Sequence, residues 1–146
     1  MNLHASSVAL EGQAVLLAGA SGAGKSDVAL RLIDSGATLI SDDQTELAVK
    51  DGVLVASSPE TLAGLIEVRH VGLLRMERAV FVPVSLYVEL TPHEQMLERL
   101  PMLETIDLLG HSVRRLWLPG FAASTPAKIR AALKYPQADE PLFKPD

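Results

Sequence analysis

Gly19-Ala20-Ser21-Gly22-Ala23-Gly24-Lys25-Ser26 fulfils the pattern G-x-x-x-x-G-K-[ST] at every fixed position, and that pattern constrains the fold more than anything else in the chain. Glycines let the backbone curl so that successive N–H groups turn inward on phosphate oxygens. The helix that must follow adds the partial positive charge of its N-terminus. The Lys25 ammonium is then placed for β- and γ-phosphates, and the Ser26 hydroxyl for Mg²⁺. The motif carries this meaning only between a strand and a helix. Ala14 to Ala18 supply the apolar run before it, and Asp27 to Ser35 a helical run after it. Val28, Ala29, Leu32 and Ile33 form one apolar stripe, and Gly36 suits the left-handed residue that closes a helix. Residues 19–26 are therefore expected to bind a nucleoside triphosphate or another polyphosphate.

The next apolar run, Ala37 to Ser41, reads as a buried strand that ends in Asp42-Asp43. Strand, loop, helix and strand make a βαβ unit with a right-handed crossover. Ligands of such sheets bind beyond the carboxyl ends of the strands, so both aspartates emerge beside the glycine loop. A carboxylate there can hold Mg²⁺ or accept a proton from an attacking hydroxyl. Adjacent side chains leaving a strand end point in different directions, so the pair can divide these roles.

Elsewhere the pattern alternates between strands and turns. Residues 4–11 form a strand that pairs with 13–18 across a turn at Gly12, with His4 at its start. A hairpin spans Glu46 to Ser57 around Asp51-Gly52, and Ser58-Pro59-Glu60 opens a helical turn. Ile66 to Gly72 reads as a strand with Glu67 and Arg69 on one face. Phe81 to Leu90 is the most apolar strand, where Pro83 predicts an early bend or an edge position. Thr91 resembles the N-cap of a short helix that closes near Arg99-Leu100-Pro101. Residues 112–118 alternate as a strand, and Thr125-Pro126-Ala127 starts a last helix with Ile129, Ala132 and Leu133 inward. One domain over residues 1–135 follows, with a frayed tail over 136–146, which holds three prolines.

Composition narrows the function. With 146 residues, 48% of them hydrophobic and 21% charged, the chain can bury a core. A net charge of -5 argues against a general nucleic-acid binder. The absence of cysteine excludes disulfides and cysteine metal sites. Met1 to Ala9 lacks the basic start and apolar core of a secretion signal, and no run approaches bilayer length, so no membrane partner and a cytoplasmic location are expected.

The glycine loop through Ser26-Asp27, then Ala29-Leu30, Leu32-Ile33, Gly36 and Leu39-Ile40-Ser41-Asp42-Asp43, resembles the catalytic domain of the HPr kinase/phosphorylase family. That resemblance implies an α/β P-loop kinase domain of the HPr kinase/PEP carboxykinase-like type, a mixed sheet with flanking helices. It implies an ATP- and Mg²⁺-dependent kinase that phosphorylates a serine of HPr, the phosphocarrier of the phosphotransferase system. Many members also remove that phosphate, and pyrophosphate is an alternative donor. Position by position, His4 matches the family's catalytic histidine, Lys25 its phosphate-binding lysine and Ser26 its Mg²⁺ ligand. Asp43 matches the carboxylate that takes the serine proton and, in reverse, returns it. Asp42 is then left to the metal. Glu67, in Ile66-Glu67-Val68-Arg69-His70-Val71-Gly72, matches a metal-binding glutamate, and Arg99 a further arginine of the site. Family members assemble as hexamers.

The sequence departs from the family pattern in three places. The family's N-terminal domain has no counterpart here, as in its short members. His70 stands where the family has glycine, which predicts crowding of that loop. Leu118-Pro119-Gly120-Phe121 keeps Pro-Gly but lacks two arginines that flank it in the family, so phosphate removal is expected to be weaker than the kinase reaction. A small-molecule kinase with an arginine lid built on Arg114-Arg115, and an ATP-sensing module without transfer, remain the other classes.

Overall fold

Five strand ends meet along one edge of a single sheet, and this edge carries the candidate site. The computed structural model describes residues 1–138. Eleven strands occur among them: β1 (Asn2–Leu3), β2 (Ser6–Leu10), β3 (Gln13–Ala18), β4 (Thr38–Ser41), β5 (Thr45–Lys50), β6 (Val53–Ser57), β7 (Leu65–Val68), β8 (Gly72–Arg75), β9 (Val82–Thr91), β10 (Glu104–Leu108) and β11 (His111–Pro119). Two α-helices, α1 (Lys25–Asp34) and α2 (Thr125–Lys134), accompany them.

The large sheet runs β1-β5-β6-β9-β3-β2-β4, with β11 also paired to β9 and β10 to β11. At its centre β11, β9 and β3 are parallel. Strand β2 is antiparallel to both β3 and β4, so β4 runs parallel to β3 with β2 between them. The βαβ unit expected from the sequence is present, split by the strand that precedes it. The carboxyl ends of β3, β4, β9 and β11 therefore share an edge with the amino end of β2.

Alternation along β3 divides the core between the two sheet faces, as strand geometry requires. Val15 and Leu17 join Val8, Leu86, Val88, Val28, Leu32 and Ile129 on the helical side. Ala14, Leu16 and Ala18 join Ile40, Leu47, Leu54, Tyr87 and Val113 on the other. The α1 helix ends as Gly36 predicts: that residue has φ 114°, its N–H donates to Ile33 O at 3.0 Å, and Ala37 N–H donates to Leu32 O at 2.9 Å. The last helix begins at Thr125 and buries Ile129 completely.

Four local expectations need correction. No α-helix forms after Thr91: β9 runs through it, and only a single 3₁₀ turn, Glu94–Met96, follows. The Thr91 hydroxyl accepts from His93 N–H at 3.1 Å, a local turn that replaces the predicted cap. Met96 is 77% exposed, so the apolar residues there find no surface to bury against, and a helix this short is marginal without one. The Ile66–Gly72 strand stops at Val68, turns through His70 at φ 71° and returns as β8. Arg69 thus lies on the turn and not on a strand face shared with Glu67. Strand β10 was not foreseen. Its hairpin closes at Leu109-Gly110, both with positive φ, where Asp107 Oδ1 accepts from Gly110 N–H at 2.9 Å. Pro83 lies on an internal strand and not at an edge, but the predicted bend is real. The β3–β9 register slips one residue past Val84, directly after the pairing with β6 ends. Of the expected tail, residues 139–146 lie outside the described residues.

Ile129 is the fully buried link between α2 and the shared core. Ile129→Ala is expected to lower unfolding stability by about 2–5 kcal/mol, read from the denaturant midpoint at unchanged slope.

Candidate functional site

The glycine loop follows β3 and is braced from outside by two strand ends. A Cβ on Gly19, at φ 144°, would meet Leu90 O of β9 at 2.8 Å. A Cβ on Gly120, just past β11, would lie 1.7 Å from Ala23 O, which no structure tolerates. Glycine at 120 is therefore required by backbone contact, which gives the surviving Pro-Gly pair a structural reason. Arg31 of α1 reinforces the junction by donating to Gly120 O at 2.7 Å and Ala122 O at 2.8 Å, and pairs with Asp27 at 2.9 Å. The Thr125 hydroxyl adds a bond to Pro119 O.

Lys25, the first residue of α1, folds back into the loop and is only 8% exposed. Its Nζ donates to Gly19 O at 2.9 Å and Ala20 O at 3.3 Å, two of the three bonds an ammonium can make. Ser26 Oγ points across to β4 and donates to Asp42 Oδ1 at 2.7 Å. Asp42 receives two further donors: Ser6 Oγ on the same oxygen at 2.9 Å, and Glu67 N–H on Oδ2 at 3.2 Å. Asp43 turns away from this cluster in a left-handed conformation, φ 67°. Its Oδ1 meets His4 Nε2 at 3.0 Å, with both side chains about 60% exposed (64% and 60%). A hydrogen bond so exposed contributes little stability and serves to orient its members.

These residues line one cleft of about 350 Å³, within the range of small-ligand sites. His4, Ser21, Gly22, Gly24, Lys25, Ser26, Asp43 and Glu67 all face it, so the structure brings together nearly all residues singled out in the sequence. Asp42 sits immediately behind, bonded to Ser26 and Glu67. Arg99 does not line this cleft and lies in the loop between the 3₁₀ turn and β10. Leu30, Val68, Arg69 and Phe121 line the wall without having been foreseen there. Ser6 was missed altogether: it is fully buried at the start of β2, and no motif marks it.

Arg114 and Arg115 do not form a lid. They sit within β11 and line a different cleft of about 750 Å³. Arg115 donates to Glu89 at 2.9 Å and stacks over Trp117, 4.5 Å from the ring centre. Burial, then the nearby Glu89 carboxylate, raise the Tyr87 phenol above its usual pKa of 10.0.

A glycine curl at the carboxyl edge of parallel strands, closed by a buried lysine and a hydroxyl–carboxylate pair, defines an α/β domain of the P-loop class. Comparison with known proteins narrows the class. The family described as HPr Serine kinase C-terminal domain matches residues 1–132, and the chain belongs to it. It is 38% identical over 119 residues to an HPr kinase/phosphorylase of Bordetella pertussis, covering 73% of this chain and 38% of that one. With an HPr kinase/phosphorylase of Clostridium botulinum it shares 32% identity over 127 residues, 80% of this chain and 42% of the relative. The chain thus spans less than half the length of these curated relatives. The solved structure of the Hpr(Ser) kinase/phosphatase from Coxiella burnetii superposes with a TM-score of 0.80 over 92% of this chain and 88% of that chain, at 24% identity, and so shares the fold. Among the described residues, no helix is long and apolar enough to cross a membrane.

Gly120→Ala is expected to force the β11 end and the glycine loop apart, costing about 1–3 kcal/mol of unfolding stability. Denaturant unfolding checks this, and an unchanged midpoint would refute the contact.

Proposed function

We propose that this chain is an ATP- and Mg²⁺-dependent kinase that phosphorylates a serine of an HPr-type phosphocarrier protein. The observation that carries the reading is the convergence at one cleft of two differently oriented aspartates. Asp42 is bonded to the P-loop serine, whereas Asp43 faces open solvent beside His4. Binding a triphosphate requires only the loop and the first carboxylate. A second carboxylate, turned outward and aligned by a histidine, is what an incoming hydroxyl needs.

In this reading the loop N–H groups and Lys25 hold the β- and γ-phosphates. Ser26, Asp42 and Glu67 offer hard oxygen donors of the kind Mg²⁺ accepts and would hold the ion beside the phosphates. Bound there, Mg²⁺ neutralises charge on the phosphates. Asp43 accepts the proton of the serine hydroxyl as that oxygen bonds to the γ-phosphorus and the bond to the β-phosphate oxygen breaks. His4 aligns the Asp43 carboxylate for this transfer. Positioning and charge neutralisation carry most of phosphoryl transfer, so a rigid cleft suffices. Pyrophosphate presents the same two phosphates to the loop and would serve as an alternative donor on the same chemistry.

The reverse reaction would need the cleft to hold inorganic phosphate against a phosphoserine. Phe121 lines the cleft at the position where the resembling family carries an arginine, and an aromatic ring gives phosphate no bidentate donors. Phosphate removal should accordingly be much the weaker activity. A small-molecule kinase loses its main support, since Arg114 and Arg115 line another cleft.

Incubation with ATP, Mg²⁺ and an HPr-type carrier, followed by intact-mass analysis, tests the proposal. A gain of one phosphate mapped to a serine is expected. Lys25→Ala and Asp43→Asn should each lower the rate at least about a hundredfold. ATP binding without any gain on the carrier, or full activity in either variant, would overturn it.

A further inference from the structure

We infer that Ser6 is the positioning residue of this site, a single hydroxyl that sets both aspartates at once. Its Oγ donates to Asp42 Oδ1 at 2.9 Å and accepts from Asp43 N–H at 3.0 Å. One atom thereby fixes the side chain of the first aspartate and the backbone of the second. Ser6 is fully buried at the start of β2, so its hydroxyl has no water to fall back on.

The backbone bond is what makes the divergence of the two carboxylates tenable. The left-handed conformation of Asp43 costs an L-residue roughly 1–2 kcal/mol. A bond from its N–H to a fixed, buried acceptor offsets that cost. Released from the turn, Asp43 would follow the alternation of β4 and its carboxylate would leave His4. The strand pairing is adapted to the same end. The β2–β4 register shifts between Ser7 and Val8, so that Ile40 lies in the bulge and the strand end is re-aimed beside Ser6.

Only a hydroxyl can serve here, because it donates and accepts through one oxygen. Alanine removes both bonds, leaves the Asp43 N–H without its acceptor and takes one of two hydroxyl donors from Asp42 Oδ1. Threonine keeps both. The consequence for metal is specific: Ser6 and Ser26 donate to the same Asp42 oxygen, so loss of Ser6 frees the carboxylate that faces Ser26 to rotate. This inference rests on the proposed reading of Asp42 as a Mg²⁺ ligand and of Asp43 as proton acceptor. It does not depend on which molecule receives the phosphate.

ATP affinity measured calorimetrically in Mg²⁺ and in EDTA separates the two questions. Ser6→Ala is expected to leave ATP binding in EDTA unchanged and to reduce the Mg²⁺-dependent gain at least about tenfold. Ser6→Thr should retain the gain. With the carrier present, Ser6→Ala should lower kcat and leave the carrier's KM unchanged, which a general loss of packing would not do. If Ser6→Ala does not fold, Ser6→Cys, a weak donor of similar size, replaces it with the same expectation. Ser6→Ala or Ser6→Cys that keeps the full Mg²⁺ gain overturns the inference, as does a wild-type chain that shows no gain. A wild-type chain with the gain but no transfer to the carrier overturns the kinase proposal alone.

Discussion

The backbone of Gly120 lies against Ala23 with no room for a side chain between them, and the site depends on that contact. A glycine loop by itself is floppy, since glycine is the residue that gains most freedom when unfolded. Here the loop is clamped on one flank by the end of β9 at Leu90 and on the other by the end of β11 at Gly120. Arg31 then ties α1 to the carbonyls beyond that second strand end. The β3–β9–β11 parallel ladder thus fixes the loop's curvature before any ligand is considered.

The same ladder explains why chemistry gathers at one edge. Parallel strands deliver their carboxyl ends together, and β2, inserted antiparallel between β3 and β4, delivers its amino end to the same place. His4 and Ser6 thereby meet Asp42 and Asp43 across nearly forty residues of chain. Were β2 at the sheet margin, His4 would have no neighbour of this kind. The split βαβ unit is therefore what brings these four side chains together.

The loop, both helices, the Asp51-Gly52 hairpin and most central strands were legible in the sequence because their signals are local. A glycine at a helix end, a Pro at the second helical position and alternation along β3 each describe their own surroundings. What failed was settled by distant partners. The Thr91–Arg99 stretch has a cap-like start, but its apolar residues find nothing to pack on, so the local preference never becomes a helix. Strand β10 exists because β11 pairs with it, and its turn at Leu109-Gly110 lacks the Asn or Asp that usually advertises such a hairpin. The Ile66–Gly72 run looked continuous because His70 occupies a left-handed position where a glycine would have announced the turn. In the site, Lys25, Ser26 and the aspartates were legible through a motif and a strand end. Ser6 was not, because its importance lies in two bonds to residues 36 and 37 positions away.

The two aspartates show how one dipeptide can hold two environments. Asp42 follows directly on β4, half-buried, and its carboxylate accepts from two hydroxyls and a backbone N–H. Such a group is locked in place and suited to hold something still. Asp43, one residue on, reverses its backbone and stands mostly exposed with a single aromatic partner. Such a group is open to whatever enters the cleft. Neither environment could be made by the side chains alone, since they are chemically identical. The difference comes from the backbone: one φ of 67° separates a carboxylate that is held from one that is presented. That angle is stabilised by the bond to Ser6 Oγ, so the difference between the two carboxylates originates in the strand that precedes the P-loop.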